Sequence, residues 1–346
     1  MKLIGIDIGG VYVKSATVEY EGEKIISIST VRNPFNFRTN AKCLDEALSK
    51  ELRKHVLKDD IDAIAITITA ETVGIFNTLS NGIIKIAQIC NTTFELIKTR
   101  YIAVDGKMHT FSDVLNKPID FASANWVATS YLASKFIDNG FFIDIGSTTT
   151  DIIPIINKKV SPFGKTDMNR LRTRELIYAG LLRTFIQSIV NKLPYKDEWI
   201  YLSSEMRCFT AHVYVYLGLI EEQEMLHPFA GKPMMITKST AKEAIARSIC
   251  ADSSMLSDDD IYTMAQYIYE KQIEEVEKAI EFMIKKSYET KVNEINFVVA
   301  GSGSFLAKKA INNIGYTSIN AYEDLVQDMD NATAVALTTI LKDSLK

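Results

Sequence analysis

Alternation between hydrophobic and polar residues divides the first part of the chain into three strands, a helix and a further strand. Apolar runs at residues 2–8, 15–20 and 24–31 predict an antiparallel meander. In residues 40–57 the apolar positions recur at helical spacing with charges between them, which predicts an amphipathic helix. Residues 63–69 form a continuous β-branched run, which is typical of a strand buried on both faces. The predicted order is therefore β-β-β-α-β.

The second part of the chain shows a related pattern. Residues 141–145 predict a buried strand, residues 151–160 a hairpin that follows it, and residues 295–299 a later buried strand. Ser257 and the three aspartates after it predict the start of a long helix that ends near residue 286. Weaker patterns predict strands at residues 83–89, 95–97, 101–104, 199–202 and 316–320, and helices at residues 122–136, 183–190, 205–219 and 331–341.

Residues 141–151 read FFIDIGSTTTD and combine a strand with an unusual turn. Asp144 interrupts an apolar, strand-forming run, and a buried carboxylate at that place needs a partner or a function. Gly146, Ser147 and the threonines after them supply backbone N–H groups and hydroxyls in a tight turn, the chemistry of a phosphate cradle. Asp151 adds a second carboxylate. For a single loop of this type, an ordinary strand with a capped turn is the alternative.

A second copy of that stretch, LIGIDIGGVYVK, lies at the N-terminus. In the alignment Asp7 falls on Asp144 and Gly9 on Gly146, and Gly10 continues the small-residue turn. Two halves that open with the same hairpin indicate an internal duplication. We therefore expect the two loops to face each other across a central phosphate-binding cleft.

A third small-residue turn consists of Gly301, Ser302 and Gly303. It follows the apolar run at residues 295–299 and precedes a helix-like segment, so it lies between a buried strand and a helix N-terminus. Three glycine turns, each after a strand, point to a phosphate ligand far more specifically than one such turn.

Three further places carry candidate chemistry. Glu71 follows the buried β-branched strand, and open α/β sheets build their sites at the carboxyl ends of such strands. It is a candidate general base or ligand of a metal-bound water, with a glutamate in a helix first turn as the equal alternative. Asn125 is either a ligand contact or a polar residue near a helix cap. Residues 164–174 concentrate cations, Lys165 and Arg170 among them, which favours anion contacts over a merely solvated loop.

Composition sets the outer limits of the interpretation. A chain of 346 residues with 47% hydrophobic content fits two domains, which we expect at residues 1–138 and 139–330, with helix 331–346 packing back on the first. A formal charge of −4 with scattered signs argues against nucleic acid or a membrane as the partner. The four cysteines lack C-x-x-C spacing and are interpreted as reduced core residues. Signal-peptide and membrane-spanning patterns are absent, so we expect a cytoplasmic protein, and a homodimer is compatible with the sequence.

The two β-β-β-α-β halves and their glycine turns resemble the superfamily of actin, heat-shock chaperones and sugar kinases over nearly the whole chain. More narrowly, the segments DIGSTTTDIIPI, GKTDMNRL, ANWVAT and AGSGSFLA resemble the hydantoinase A/oxoprolinase-related branch found in archaea and methylotrophs. This resemblance implies an α/β fold of two duplicated ribonuclease H-like halves. It also implies a methanofuran-biosynthesis transferase that couples an aminomethyl-furanyl methyl diphosphate to the phenol of γ-glutamyltyramine and releases diphosphate, with Mg²⁺ as cofactor.

The resemblance implies a role for each matching residue. Asp7 and Asp144 would orient Mg²⁺, Lys14 and Lys165 would neutralise charge, and Glu71 or Asp151 would accept the proton. The residues implied to bind phosphate are Gly9, Gly10, Gly146, Ser147, Thr148 and Thr149. Those implied to contact substrate are Asn125, Arg170, Gly301, Ser302 and Gly303.

Two departures separate this chain from the pattern of that branch. Val11, Tyr12 and Val13 stand before Lys14 where the branch has a segment similar to ANT, which removes an amide and a hydroxyl from the first loop. His212 stands where an acid is expected. Two alternatives therefore stay open: an ATP-dependent small-molecule kinase or hydantoinase-like hydrolase that uses the same cleft, and a non-enzymatic switch of the actin or chaperone type.

Overall fold

The computed structural model describes residues 1–40, 43–55, 61–227, 232–288, 294–324 and 331–346, which form a mixed α/β protein. Parts of the first predicted helix, residues 41–42 and 56–57, lie outside the described residues. The helices are α1 (Leu44–Arg53), α2 (Leu79–Thr93), α3 (Phe111–Asn116), α4 (Asn125–Ala133), α5 (Asp167–Thr173), α6 (Thr210–Tyr216), α7 (Lys238–Arg247), α8 (Asp258–Ser287), α9 (Ser304–Asn313) and α10 (Ala332–Ser344).

The first sheet confirms the predicted meander and the buried strand that follows it. Its strands are β1 (Lys2–Ile8), β2 (Tyr12–Glu21), β3 (Lys24–Pro34), β4 (Ala63–Ile68), β5 (Thr99–Ile102) and β6 (Met108–His109), in the spatial order β3-β2-β1-β4-β5-β6. β1 pairs antiparallel with β2 and parallel with β4. Every residue of β4 is buried, because α1 and α2 share the apolar core of this sheet and α10 also packs against it.

The second sheet repeats the strand order of the first. The remaining strands of the described residues are β7 (Gly140–Ile145), β8 (Thr150–Ile156), β9 (Lys159–Val160), β10 (Leu176–Ile177), β11 (Lys192–Tyr195), β12 (Glu198–Tyr201), β13 (Gln223–Leu226), β14 (Pro233–Ile236), β15 (Asn296–Ala300) and β16 (Ile319–Ala321). The second sheet has the order β10-β8-β7-β15-β16, with β9 paired to β8. β7 thus takes the place of β1, and β15 the place of β4. This correspondence confirms the internal duplication.

A long insertion separates β10 from β15 in the second half. It contains the hairpins β11–β12 and β13–β14 and the helices α6, α7 and α8, which share an apolar core. α8 begins as predicted: the Ser257 hydroxyl accepts from the Asp260 N–H, and the Asp260 carboxylate accepts from the Ser257 N–H.

The chain divides into two compact units. Unit 1 consists of Met1–Phe142, Ile153–Thr173 and Ala321–Lys346, and unit 2 of Ile143–Ile152 and Arg174–Asn320. In unit 1, α10 packs against β1 and β2, and the hydroxyl groups of Tyr20 and Thr338 are 2.8 Å apart. The domain boundaries proposed from the sequence, residues 1–138 and 139–330, remain predictions.

Several local predictions were wrong. Residues 83–89 lie in α2 rather than in a strand, because the Thr78 hydroxyl caps a helix there and Ile83, Ile86 and Cys90 are buried at helical spacing. Residues 95–97 contain no strand. Residues 183–190 contain only the short 3₁₀ turn Ile186–Ser188.

Candidate active site

In the central loop, residues 146–149 between β7 and β8, three of the four carbonyl groups accept hydrogen bonds, whereas the N–H groups after Gly146 are open. The Gly146 N–H donates to the Thr149 carbonyl over 2.9 Å and closes the turn. The carbonyl of Gly146 accepts from the Leu181 N–H at 2.9 Å, and that of Ser147 accepts from the next two N–H groups, at 3.0 and 2.9 Å. Within the described residues, the N–H groups from Ser147 to Thr149 donate to no acceptor. Successive open N–H groups are a binding place for an anion.

Gly180 lies directly against the central loop. A Cβ at this position would be 2.6 Å from both the Gly146 carbonyl oxygen and the Thr148 nitrogen, so a side chain would displace the loop. The Gly180 carbonyl accepts from the Thr210 hydroxyl at 3.2 Å and from the Gln272 side-chain amide at 3.1 Å. These bonds hold the segment that supports the loop.

Gln272 belongs to the site although sequence reasoning missed it. It lies on α8 and is 2% exposed, and the Tyr214 hydroxyl donates to its side-chain oxygen over 2.5 Å. A polar residue midway between the buried Ile268 and Val276 interrupts the apolar stripe of a long helix. That interruption was the signal available in the sequence, because a buried amide needs specific partners.

The third loop, residues 301–303, packs against the end of β7. Gly301 has φ +84°, and a Cβ on it would overlap a carboxylate oxygen of Asp144 and the carbonyl of Ile145. The Gly303 N–H donates to the Ile145 carbonyl over 2.8 Å. The structure thus places the Asp144 carboxylate beside Gly301, while Ser302 is exposed between the two glycines.

The amino-terminal loop, residues 9–11 between β1 and β2, has the same backbone arrangement as the central loop. The Gly9 N–H donates to the Tyr12 carbonyl over 2.9 Å, a bond of the same span and length. The carbonyls of Gly10 and Val11 accept N–H groups from the segment around the end of β3, at 3.3 and 2.8 Å. In the part of the chain that the structure describes, the N–H groups of these two residues find no acceptor.

Asp7 lies on β1 opposite Lys14 of β2. It is 7% exposed, and its Oδ1 has no hydrogen-bond partner among the described residues. Burial raises the pKa of Asp7, and the positive charge of Lys14 partly lowers it. No group of three or more His, Cys, Asp or Glu that could hold a metal is found in the described ranges. Mg²⁺ held by one or two carboxylates, waters and substrate phosphates needs no such group, so the orphaned oxygen of Asp7 fits this ion.

Glu71 lies in the 3₁₀ turn after β4 and is 2% exposed. Its Oε1 accepts from the Ser123 N–H at 2.8 Å and from the Ser123 hydroxyl at 3.0 Å, whereas Oε2 is buried without a partner in the described residues. Burial raises the pKa of Glu71 to about 7; the bonds from Ser123 oppose this rise and the charge of Asp167 adds to it. Ser123 has φ +48°, a conformation that costs free energy and is concentrated at functional sites. No sequence signal marked Ser123.

The basic segment contains the helix α5, which positions Arg170 beneath α4. The Arg170 side chain is buried, with its guanidinium 4.4 Å from the ring centre of Trp126 and 3.6 Å from the Asp167 carboxylate. Lys165 is exposed just before α5, and Asn125 is the first residue of α4. The predicted contacts of Arg170, Lys165 and Asn125 with a substrate stay predictions.

Asp151 lies on β8 opposite Leu176 of β10 and is buried. It aligns with Lys14 in the duplicated hairpin, so the two halves carry opposite charges at corresponding positions. Its predicted role as a proton acceptor also stays a prediction.

A profile of the family described as hydantoinase/oxoprolinase matches residues 62–343. The chain belongs to the hydantoinase/oxoprolinase family. This match confirms the resemblance carried by the central loop, the basic segment and the third loop, and with the relatives named below it identifies the protein as an enzyme.

Two relatives of this hydantoinase/oxoprolinase-family protein come from methanogens, and both are named (4-{4-[2-(γ-L-glutamylamino)ethyl]phenoxymethyl}furan-2-yl)methanamine synthase. The protein of Methanocaldococcus jannaschii is 29% identical over 348 residues, covering 99% of this chain and 98% of the relative. That of Methanococcus vannielii is 29% identical over 221 residues, covering 62% of this chain and 96% of the relative. The nucleotide-free structure of acetone carboxylase is similar in fold, with a TM-score of 0.53 and 10% identity over 92% of this chain and 68% of that one.

The two departures of this family member from the pattern of its branch have structural explanations. The segment from Val11 to Val13 lacks the amide and the hydroxyl of that pattern, but the turn closed by the Gly9–Tyr12 hydrogen bond is retained. His212 is buried on α6, where its Nδ1 accepts from the Phe209 N–H at 3.0 Å. Burial lowers the pKa of His212 to about 4, so this residue is neutral at physiological pH and adds no charge where the pattern has an acid. None of the described helices is long and apolar enough to cross a membrane.

Proposed function

We propose that this family member is a transferase that couples an aminomethyl-furanyl methyl diphosphate to the phenol of γ-glutamyltyramine and releases diphosphate. The names of the two methanogen relatives support this proposal, because one of them aligns along nearly its whole length with nearly the whole of this chain. The single observation that carries it is the central loop, whose N–H groups from Ser147 to Thr149 find no acceptor among the described residues.

The proposed reaction exchanges one carbon–oxygen bond for another. The bond between the furanyl methyl carbon and the diphosphate oxygen breaks, and its electron pair leaves with the diphosphate. The phenol oxygen then bonds to the carbon, and the phenol proton goes to a base. N–H groups aimed at the departing oxygens stabilise the charge that develops on them, which is a large term in such reactions. The hydroxyls of Thr148 and Thr149 are proposed to add to this stabilisation.

Glu71 is the proposed proton acceptor. A general base works best when its pKa lies near the operating pH, and burial places the pKa of Glu71 at about 7. The two hydrogen bonds from Ser123 fix Oε1 and leave Oε2, the buried oxygen without a partner, for the proton. Asp151, buried on β8, is the second candidate for this role.

Asp7 and Asp144 are the residues proposed to hold Mg²⁺ through its waters, and Lys14 and Lys165 are proposed to neutralise further charge. A bound Mg²⁺ supplies positive charge to the leaving diphosphate. Asp7 itself contributes a carboxylate whose buried Oδ1 has no protein partner among the described residues. Lys14 lies opposite Asp7, and its positive charge opposes the rise in the pKa of Asp7 that burial causes.

Incubation of the purified protein with Mg²⁺, the furanyl diphosphate and γ-glutamyltyramine tests the proposal. Ether product and diphosphate are expected in equal amounts by mass spectrometry and diphosphate assay. A parallel incubation replaces the furanyl diphosphate with ATP. Release of ADP in that arm, without ether or diphosphate in the first, would overturn the transferase and favour a kinase or an ATP-dependent hydrolase.

A further inference from the structure

Unit 2 contains a pocket of about 320 Å³ in the insertion between β10 and β15. It is lined by residues of α6, β14 and α7, by Met206 and Arg207 before α6, and by His227 after β13. The residues that carry the inference are Met206, His212, Met234, Met235, Glu243 and Arg247. None of these residues has a role in the reaction described above.

One part of the pocket lining is adapted to an aromatic ring. Met206, Met234 and Met235 present thioethers, which are polarisable and make favourable contacts with ring edges. The His212 ring, which also lines the pocket, stacks on Phe209 at a centroid distance of 5.6 Å and an interplanar angle of 15°.

On α7 the lining carries one positive and one negative charge, and Arg207, before α6, adds a second positive charge that pairs with Glu205. Arg247 and Glu243 lie one turn apart on α7, and their side chains form an ion pair of 3.1 Å while both stay about half exposed. The pair uses one nitrogen of the guanidinium and one oxygen of the carboxylate. The remaining donors of Arg247 suit a carboxylate, and the remaining oxygen of Glu243 suits an ammonium group. An amino-acid zwitterion presents both groups on one carbon.

His212 is an uncharged hydrogen-bonding group of the pocket. Its Nδ1 accepts from the Phe209 N–H, so the proton of the neutral ring is on Nε2. Burial keeps His212 neutral at physiological pH, because its pKa is lowered to about 4. A neutral N–H donor is suited to the oxygen of a phenol.

The pocket is joined to the central loop by a short chain of hydrogen bonds within unit 2. The Ala211 N–H, next to His212, donates to the Leu182 carbonyl at 3.3 Å, and the Leu182 N–H donates to the Ser147 carbonyl at 3.0 Å. The Thr210 hydroxyl donates to the Gly180 carbonyl at 3.2 Å. The start of α6 therefore contacts both the pocket and the segment that supports the open N–H groups.

We infer that this pocket binds the phenol substrate, an aromatic ring joined by a flexible chain to an α-amino acid. Met206, Met234 and Met235 contact the ring, and Arg247 and Glu243 hold the carboxylate and ammonium groups of the amino-acid end. This inference rests on the proposed function, since it assigns a site to the second substrate of that reaction.

Isothermal titration of the full chain with γ-glutamyltyramine alone, without any diphosphate, tests the site directly. Removing a charged hydrogen-bonding group costs about 1.5–3 kcal/mol, so Arg247→Gln is expected to raise the Kd by about 10- to 100-fold. Tyramine, which lacks the amino-acid end, is expected to bind wild type and Arg247→Gln equally. Arg53→Gln is the matched control, because Arg53 is likewise an exposed arginine in the last turn of a ten-residue helix.

Three results would overturn the site: no binding of γ-glutamyltyramine by the wild type, equal affinity of Arg247→Gln, or equal weakening by Arg53→Gln. A melting curve of each variant verifies that its fold is intact. The two proposals fail separately. Binding that depends on Arg247 without ether formation refutes the transferase and leaves the pocket, whereas ether formation with an unchanged KM for the phenol in Arg247→Gln refutes the pocket and leaves the transferase.

Discussion

Replacing Glu71 by Gln is expected to stabilise the protein while abolishing its activity. The pKa of Glu71 is raised from 4.5 to about 7 in the folded state. At about 1.36 kcal/mol per pH unit, ionising this buried carboxyl costs about 3 kcal/mol of folding free energy above pH 7. The folded form binds the proton of Glu71 more tightly than the unfolded form. The contribution of this proton to the free energy of unfolding is therefore fully present below pH 4.5 and is lost as the pH rises through about 7. Gln keeps the oxygen that accepts from Ser123 and removes the charge.

Urea unfolding at pH 5 and pH 8 measures this effect. Relative to wild type, Glu71→Gln is expected to gain about 2–3 kcal/mol more at pH 8 than at pH 5. The cost of the new amide without a partner is the same at both pH values and cancels in this difference. Diphosphate release is expected to fall by at least about 100-fold, the range typical of losing a general base. Glu275→Gln is the control, because burial also raises the pKa of Glu275 but Arg174 and Lys278 oppose it. Equal stability changes at both pH values, or turnover near the wild-type rate, would refute the reasoning.

Three further predictions concern Ser123, Gly180 and Mg²⁺. Ser123→Ala removes one hydrogen bond to the Glu71 carboxylate, so the pKa of Glu71 rises. The acidic limb of the pH–rate profile is expected to move about 1–2 pH units higher, with activity recovered at high pH. An unmoved limb would contradict this. Gly180→Ala forces the central loop aside. It is expected to lower the free energy of unfolding by about 1–3 kcal/mol and to weaken diphosphate binding in a titration. The control Gly218→Asn, in open space at φ +69°, is expected to do neither. Chelation of Mg²⁺ with EDTA is expected to stop diphosphate release and to remove the rise in melting temperature that added diphosphate causes. If diphosphate release and the rise in melting temperature both persist, Mg²⁺ is not the cofactor.

Strong local patterns made much of the fold predictable. The alternation in β1 and β2, the unbroken apolar run of β4 and the capping residues before α8 each specify an element without help from distant residues. α2 was predicted wrongly because its isoleucines fit both a β-branched strand and a helical stripe, and only the capping Thr78 distinguishes them. Residues 183–190 have a helical composition, but the N–H of Arg183 is used by the central loop.

The candidate site was predictable only where its chemistry lies within one segment. Asp7 and Asp144 were identified because each interrupts an apolar strand before a glycine turn. The contact between Ser123 and Glu71 joins residues 52 positions apart, and that between Gln272 and Gly180 joins residues 92 positions apart. Such pairs depend on how helices and strands pack, and a single sequence carries no record of that packing beyond a polar residue in an apolar stripe.

The matching hydrogen bonds that close the amino-terminal and central loops, both 2.9 Å long, have a consequence for the history of this protein. Because backbone atoms alone make each turn, the side chains of the two copies were free to diverge after the ancestral gene doubled. One copy now carries Ser147, Thr148 and Thr149, while the other carries valine and tyrosine. The two descendants of a single ancestral loop have thus become specialised to different degrees, and exchanging their side chains would show how much of that specialisation is reversible.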